Sequence, residues 1–364
     1  MTTGQDTPPL NELQQEAFNE RLARFADYLS TKGKEPKRNK GYAEGSVTER
    51  VSRFRRLMKW IWAHEGATTE FSPQHGDLVN EALEEDTLRK TDDGRYSDNT
   101  KRKFNDVLRN WFEFQNEEWE PTYTFSDNNP DPENKPNPFS KEELRQLTEA
   151  SLTFEDIPRY NNLSPDERGQ WKIHISQKLE KPKDEVVPAD WDKINNSWKI
   201  PSLIRTARGH GWRPALVGRM KTGWYDSDEQ AIFIPAGASP KNDASWREDL
   251  IDEEAMWLER WLDQRSLMDK YKDRDEIWLT RKGNPYGSGP LNDLLDKLQD
   301  EAGINPRGRK LVWYSFRHSI GTYVYDEYKD LDIVRRKLRQ KSKQSAIKYI
   351  HPLPETQREA TSVL

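Results

Sequence analysis

Between Trp119 and Pro138 the chain reads WEPTYTFSDNNPDPENKPNP, with four prolines set among Asn and Asp at its end. Proline lacks a backbone N–H and has a fixed φ, so this stretch can neither continue a helix nor sit in a central strand. It predicts an interdomain linker over 119–138. A length of 364 residues agrees, because single hydrophobic cores stop growing at roughly 250–300 residues.

Before the linker the pattern is helical. Residues 1–9 read as a loose polar tail. From Leu10 to Lys32, Phe18, Leu22, Phe25 and Leu29 recur at the spacing of an amphipathic helix, with Leu13 less well in step. KGKEPKRNKG, residues 32–41, is a basic loop. Ser46 or Thr48 can cap a second helix that buries Val51, Phe54, Leu57, Met58 and Ile61. Its other side carries Arg50, Arg53, Arg55, Arg56 and Lys59. A weaker helix is expected over Leu78–Leu88. Another starts near Asp98, with Val107, Leu108, Trp111 and Phe112 as core. Residues 10–118 therefore predict a compact all-helical domain.

After the linker, residues 139–364 mix helix and strand. Ser140 and Glu143 form a capping box for a helix through Leu147. Residues 151–200 are polar and punctuated by Trp, and the pattern assigns them no structure. A helix is expected from Pro201 to Gly209, resuming after Trp212. Ala231–Ile234 and Trp246–Leu250 read as a hairpin with a long polar tip, PAGASPKNDAS. Glu253–Leu267 and Leu291–Ala302 are expected helices, and Ile277–Thr280 a short strand.

The absence of cysteine excludes disulfides and thiolate metal sites. The six His are scattered, with no HExxH arrangement. KGNPYGSG lacks the P-loop pattern and reads as a turn. No apolar run is long enough to span a bilayer, and MTTGQDTPPLNE lacks the parts of a signal peptide, so an intracellular soluble protein is expected. The net charge of −5 argues against a polyanion partner, but the average hides an uneven distribution. Arg307 to Lys348 holds twelve Lys or Arg against four Asp or Glu. A phosphate backbone responds to the field within a Debye length, not to the chain's mean charge.

That basic segment, LVWYSFRHSIGTYVYDEYKDLDIVRRKLRQKSKQSAIKYIHP, carries the candidate chemistry. It sets Arg317 in a polar-aromatic run and brings in Tyr349 near its end. A phosphodiester repels nucleophiles, so cationic donors must neutralise it as the pentacovalent state forms. Arginine suits this through planar multidentate hydrogen bonding. A lysine can donate a proton to a leaving oxygen, and a tyrosine can attack phosphorus and hold the product covalently.

With these residues the chain resembles the tyrosine recombinase, or phage-type integrase, family, most closely its archaeal integrase-like branch. The similarity runs in order along nearly the whole chain, and its specific part spans Gly209 to Tyr349. GHGWRPALV matches the first arginine motif and gives Arg213. IPAGASPKN gives Lys241 as the hairpin lysine, with Lys221 as the other basic candidate. WYSFRHS aligns Arg317 with the second arginine. LRQKSKQSAIKYIHP sets Gln340 at the usual His or Trp position and Tyr349 at the nucleophile. The resemblance implies an α+β architecture. A helical core-binding domain would be followed by a mostly helical catalytic domain with a small antiparallel sheet.

It also implies a DNA strand exchange that requires neither metal nor ATP. Tyr349 would form a 3′-phosphotyrosyl link, Arg213 and Arg317 would hold the nonbridging oxygens, and Lys241 would protonate the leaving 5′-oxygen. The implied partners are double-stranded DNA and further copies of the chain, as a tetramer on paired sites, in a cytoplasmic, nucleoid-associated setting. Three positions depart from the family pattern. The second box begins with Tyr314 instead of His, Gln340 cannot become cationic, and Leu216 stands where an acidic residue often supports the first arginine. Two readings follow: an atypical active recombinase, or a recombinase-derived DNA-binding protein with reduced or lost catalysis.

Overall fold

The computed structural model describes residues 10–126, 135–154, 157, 160–195, 197–239, 244–268 and 271–352. The chain divides into two units, Met1–Asn134 and Lys135–Leu364. No helix among the described residues is long and apolar enough to cross a membrane.

The first unit is built from α1 (Glu12–Thr31), α2 (Glu44–Glu65), α3 (Pro73–Glu84) and α4 (Asp98–Gln115). Asn11 caps α1 reciprocally with Gln14, satisfying two otherwise orphaned N–H groups. The apolar stripes of α1, α2 and α4 meet at Phe25, Phe54 and Trp111, all essentially without exposure. Trp111 stacks on Phe54 at 3.8 Å and meets Phe25 edge-on at 5.0 Å. Two expected helix starts move. α2 begins at Glu44 behind Ala43, and the Thr48 hydroxyl bonds back to the Glu44 carbonyl inside the helix instead of capping it. α3 runs earlier than 78–88 because Ser72 and His75 form a capping box and Pro73 supplies a helical φ at the first position. Part of the basic surface is also tied down. Glu35 pairs with Arg38 and Lys40, and Arg50 bonds Asn110 while lying 3.8 Å over the Tyr42 ring.

The second unit opens with α5 (Lys141–Thr153), capped by Ser140 and Glu143. The stretch that the sequence pattern leaves unassigned contains α6 (Pro165–Leu179) and α7 (Pro188–Asn195). Ile157, Leu163, Ile175, Val186 and Trp191 close a small separate core there. The buried Asp190 carboxylate is pinned by Lys181, Lys193 and the Val187 N–H. Burial opposes its ionisation, yet these partners hold its pKa at about 2.

α8 (Lys199–His210) is followed by α9 (Pro214–Val217) and a three-stranded antiparallel sheet, β1 (Tyr225–Asp226), β2 (Ala231–Ile234) and β3 (Trp246–Asp249). Ala231 pairs with Asp249 and Ile234 with Trp246. α10 (Asp252–Ser266), α11 (Ser288–Glu301), α12 (Tyr314–Tyr328), α13 (Leu331–Lys337) and α14 (Lys343–Ile347) complete the unit. α8 packs against α5, α10 and α12, and Leu203, Ile204 and Ala207 on it are buried. The strand expected at Ile277–Thr280 does not form. The segment makes only an isolated bridge, Leu279 to Pro285. Proline cannot donate to extend a ladder, and Ile277, Trp278 and Leu279 are all fully buried, which removes the alternation of a half-buried strand.

Candidate active site

α8 ends at Gly211, which takes a left-handed φ of 55°. A Cβ there would lie 2.9 Å from Arg317 Cα, so the absent side chain is what lets α12 approach the end of α8. The Gly211 carbonyl then accepts from Arg317 Nη1 at 3.2 Å. Two residues on, Arg213 caps α9, with Pro214 at the first helical position. The proline that departs from the family pattern therefore suits a helix start. Leu216 is buried in the main core.

Arg317 is only 4% exposed. Its Nη2 donates to the Leu338 carbonyl, and its buried Nε has no partner. With the Gln340 amide oxygen turned toward the arginines, that oxygen accepts from Arg317 Nη2 at 2.7 Å and from Arg213 Nη2 at 3.2 Å. Burial first, and the Arg213 charge second, push the Arg317 pKa down, while Tyr349 and Tyr314 act in the opposite sense. Among the described residues neither guanidinium has a carboxylate partner within ion-pair distance. Two like charges held together without a counter-ion favour an anion between them.

The Arg317 guanidinium lies 5.0 Å from the Tyr349 ring centroid. Tyr349 follows α14 and packs with Ile320, Val334, Leu338 and Ala346. Its close seat on α12 depends on Gly321, where a Cβ would meet both the Tyr349 Cβ and its carbonyl oxygen at 2.7 Å. The Thr322 hydroxyl donates to the Tyr349 carbonyl at 3.3 Å and accepts from the His351 N–H at 3.1 Å. His318 lies 4.9 Å from the Tyr349 ring.

The structure thus brings Arg213, Arg317, Gln340 and Tyr349 together, with Tyr314, the first residue of α12, close enough to act on the Arg317 charge. Lys241 lies outside the described residues. The other lysine candidate, Lys221, is ion-paired with Asp275 at 2.7 Å.

Several site residues were not singled out in the sequence. The cleft beside the arginines is also lined by His210, Glu248, Lys337 and Arg339. His210 is buried, with Nδ1 3.1 Å from Glu248 and Nε2 3.2 Å from Glu254. Arg205 pairs with Glu254 from the other side at 2.8 Å. Burial opposes the charge on His210, but the two carboxylates win and raise its pKa, while it helps to hold theirs down. His210 directly precedes the GWR run, which is a local signal. Its acidic partners lie about forty residues away and give none. No cluster of three or more His, Cys, Asp or Glu among the described residues could hold a metal.

A model described as the phage integrase family matches residues 191–356, all within the second unit. The whole chain is similar in fold to the XerH site-specific recombinase. In a post-cleavage complex with a palindromic difH substrate, the TM-score is 0.55 at 17% identity, covering 98% of this chain and 98% of that one. In a pre-cleavage complex with difH, it is again 0.55 at 17% identity, covering 99% and 90%. A lambda integrase dimer bound to a COC′ core site gives 0.50 at 11% identity, covering 92% and 95%. No curated protein matches the chain. The fold, mostly helical with a small antiparallel sheet, is that of the tyrosine recombinase catalytic domain. Residues 191–356, within the second unit, are thus similar in sequence to the phage integrase family.

Proposed function

We propose that this protein is a site-specific DNA recombinase that cuts and rejoins strands through a 3′-phosphotyrosyl intermediate, with Tyr349 as nucleophile. The observation that carries this reading is the convergence of Arg213 and Arg317 on the Gln340 amide oxygen, beside Tyr349 and without a carboxylate partner. A scissile phosphate would take the position between the guanidiniums and receive the free Arg317 Nε–H. Both arginines would stabilise the extra charge of the pentacovalent state. The Tyr349 oxygen would bond to phosphorus as the 5′-oxygen leaves, and Lys241 would supply the proton to that leaving group. A 5′-hydroxyl from a second strand would then attack the phosphotyrosine and release Tyr349. The energy of the broken bond is retained in the protein–DNA link. The first unit is the proposed core-binding domain, and the working assembly is a tetramer on paired DNA sites. The archaeal branch and a nucleoid setting belong to the same proposal.

The test uses a nicked duplex built on the site that this protein selects from random DNA. Arg213→Ala and Arg317→Ala should each slow covalent adduct formation by about 10²–10³-fold while changing affinity only a few-fold. Equal losses in binding and cleavage would make the arginines general DNA contacts. No adduct from the unmodified protein would favour a DNA-binding relative that has lost catalysis.

A further inference from the structure

Arg339 sits in left-handed backbone at φ 51°, a region that residues with a Cβ avoid unless their surroundings over-determine it. It lies between Leu338, whose carbonyl holds Arg317, and Gln340, which faces both arginines. Its guanidinium reaches back to three successive residues of β3. Cζ lies 5.2 Å over the Trp246 ring, Nη2 donates to the Arg247 carbonyl at 2.9 Å, and Nε is 3.8 Å from Glu248 Oε1. The other Glu248 oxygen faces His210, three residues before Arg213. One line of contacts therefore runs from the Gln340 turn, across β3, to the end of α8. β3 is also the return strand of the hairpin whose connection contains Lys241.

We propose that Arg339 is a positioning residue that clasps β3 to the Gln340 turn. It sets where β3 stands relative to the two arginines, with Glu248 as the shared carboxylate. A side chain that served only to fill space would not need a strained backbone aimed at consecutive residues of one strand. This role rests on the reading of the arginine cleft as a phosphate site.

Arg339→Gly separates the clasp from the turn, because glycine accepts this φ without strain. In the full-length protein without DNA, it should leave the melting temperature unchanged or higher. Amide exchange at 246–249 should rise about tenfold or more. On the nicked duplex at saturating protein, adduct formation should slow about tenfold or more, with affinity within about twofold. Glu248→Gln should slow it similarly, and the double variant should be no slower than either single one, as expected for residues acting as a unit. Unchanged exchange in Arg339→Gly would overturn the clasp. So would weakened affinity with a flatter salt dependence and intact cleavage at saturation, which would make Arg339 a direct phosphate contact. If the unmodified protein forms no adduct, the catalytic reading fails, and the exchange comparison still decides whether Arg339 holds β3.

Discussion

His318 Nδ1 and His351 Nε2 lie 2.8 Å apart, joining α12 to the chain two residues beyond Tyr349. One ring must donate and the other accept, so the contact is lost once both rings are charged. Burial, then His351, Lys135 and Arg317, hold the His318 pKa down at about 3, and burial with Lys135 holds His351 at about 4. Both values lie below the usual 6.5, so the undocked chain binds more protons and docking strengthens as pH rises. The contribution is complete above about 6.5 and is lost as pH falls toward 4 and then 3. Amide exchange across 345–352 should be constant from pH 8 to about 6.5, after correction for intrinsic rates, and should rise progressively below that. A flat profile down to pH 4 would show that the pair does not hold this segment.

Gly321→Ala should displace Tyr349 without touching the arginines. Its new Cβ would overlap the Tyr349 backbone and Cβ at 2.7 Å. Adduct formation should slow by about tenfold or more, because small misplacements of a reacting group are costly. Duplex affinity, measured by fluorescence anisotropy, should stay within about twofold. Cleavage at the unmodified rate would mean that Tyr349 acts from a different seat.

His210→Ala would leave Glu248 with no partner for its inward oxygen and Glu254 with Arg205 and the Ile251 N–H. Removing one member of a buried ion network costs on the order of 3 kcal/mol, readable as a lower midpoint in urea. The sign with pH is opposite to that of the His318 pair. The His210 pKa is raised, so its contribution is full below about 6.5 and fades as pH climbs through the raised value. The variant's deficit should therefore shrink at alkaline pH. A constant deficit would assign the loss to packing.

The cations of the first unit are not equivalent. Arg50 is held by Asn110 and Tyr42, and Arg56 bonds Thr91. Arg55, also on α2, is exposed and has no hydrogen bond or ion pair among the described residues. Arg55→Ala should weaken duplex binding across all sequences and reduce the salt slope by about 1. Arg50→Ala should instead act mainly on thermal stability. Identical salt slopes for the unmodified protein and Arg55→Ala would remove this arginine from the DNA surface.

What the sequence made legible was local and periodic. The stripe through Phe18, Leu22, Phe25 and Leu29 is buried as its spacing predicts, the Ser140–Glu143 box caps α5, and Ala231–Ile234 pairs with Trp246–Asp249. The failures share a physical cause. Residues 157–195 form their own core from sparse apolar positions separated by charged runs, so no face shows a clear period. Ile277–Leu279 is apolar because it is enclosed, not because it is a strand. At the site, Arg213, Arg317, Gln340 and Tyr349 were named from their motifs. The residues that hold them were not. Glu248 meets His210, and Arg339 meets β3, only after folding brings distant segments together.

The most direct test is where phosphate ends up on the protein. On the nicked suicide duplex, the unmodified protein should form a denaturant-resistant adduct, and peptide mapping should place the nucleotide on Tyr349. Tyr349→Phe should bind the same duplex with unchanged affinity and form none. An undiminished adduct from Tyr349→Phe, or a nucleotide mapped to Tyr314, Tyr325 or Tyr328, would contradict the assignment of Tyr349 as nucleophile.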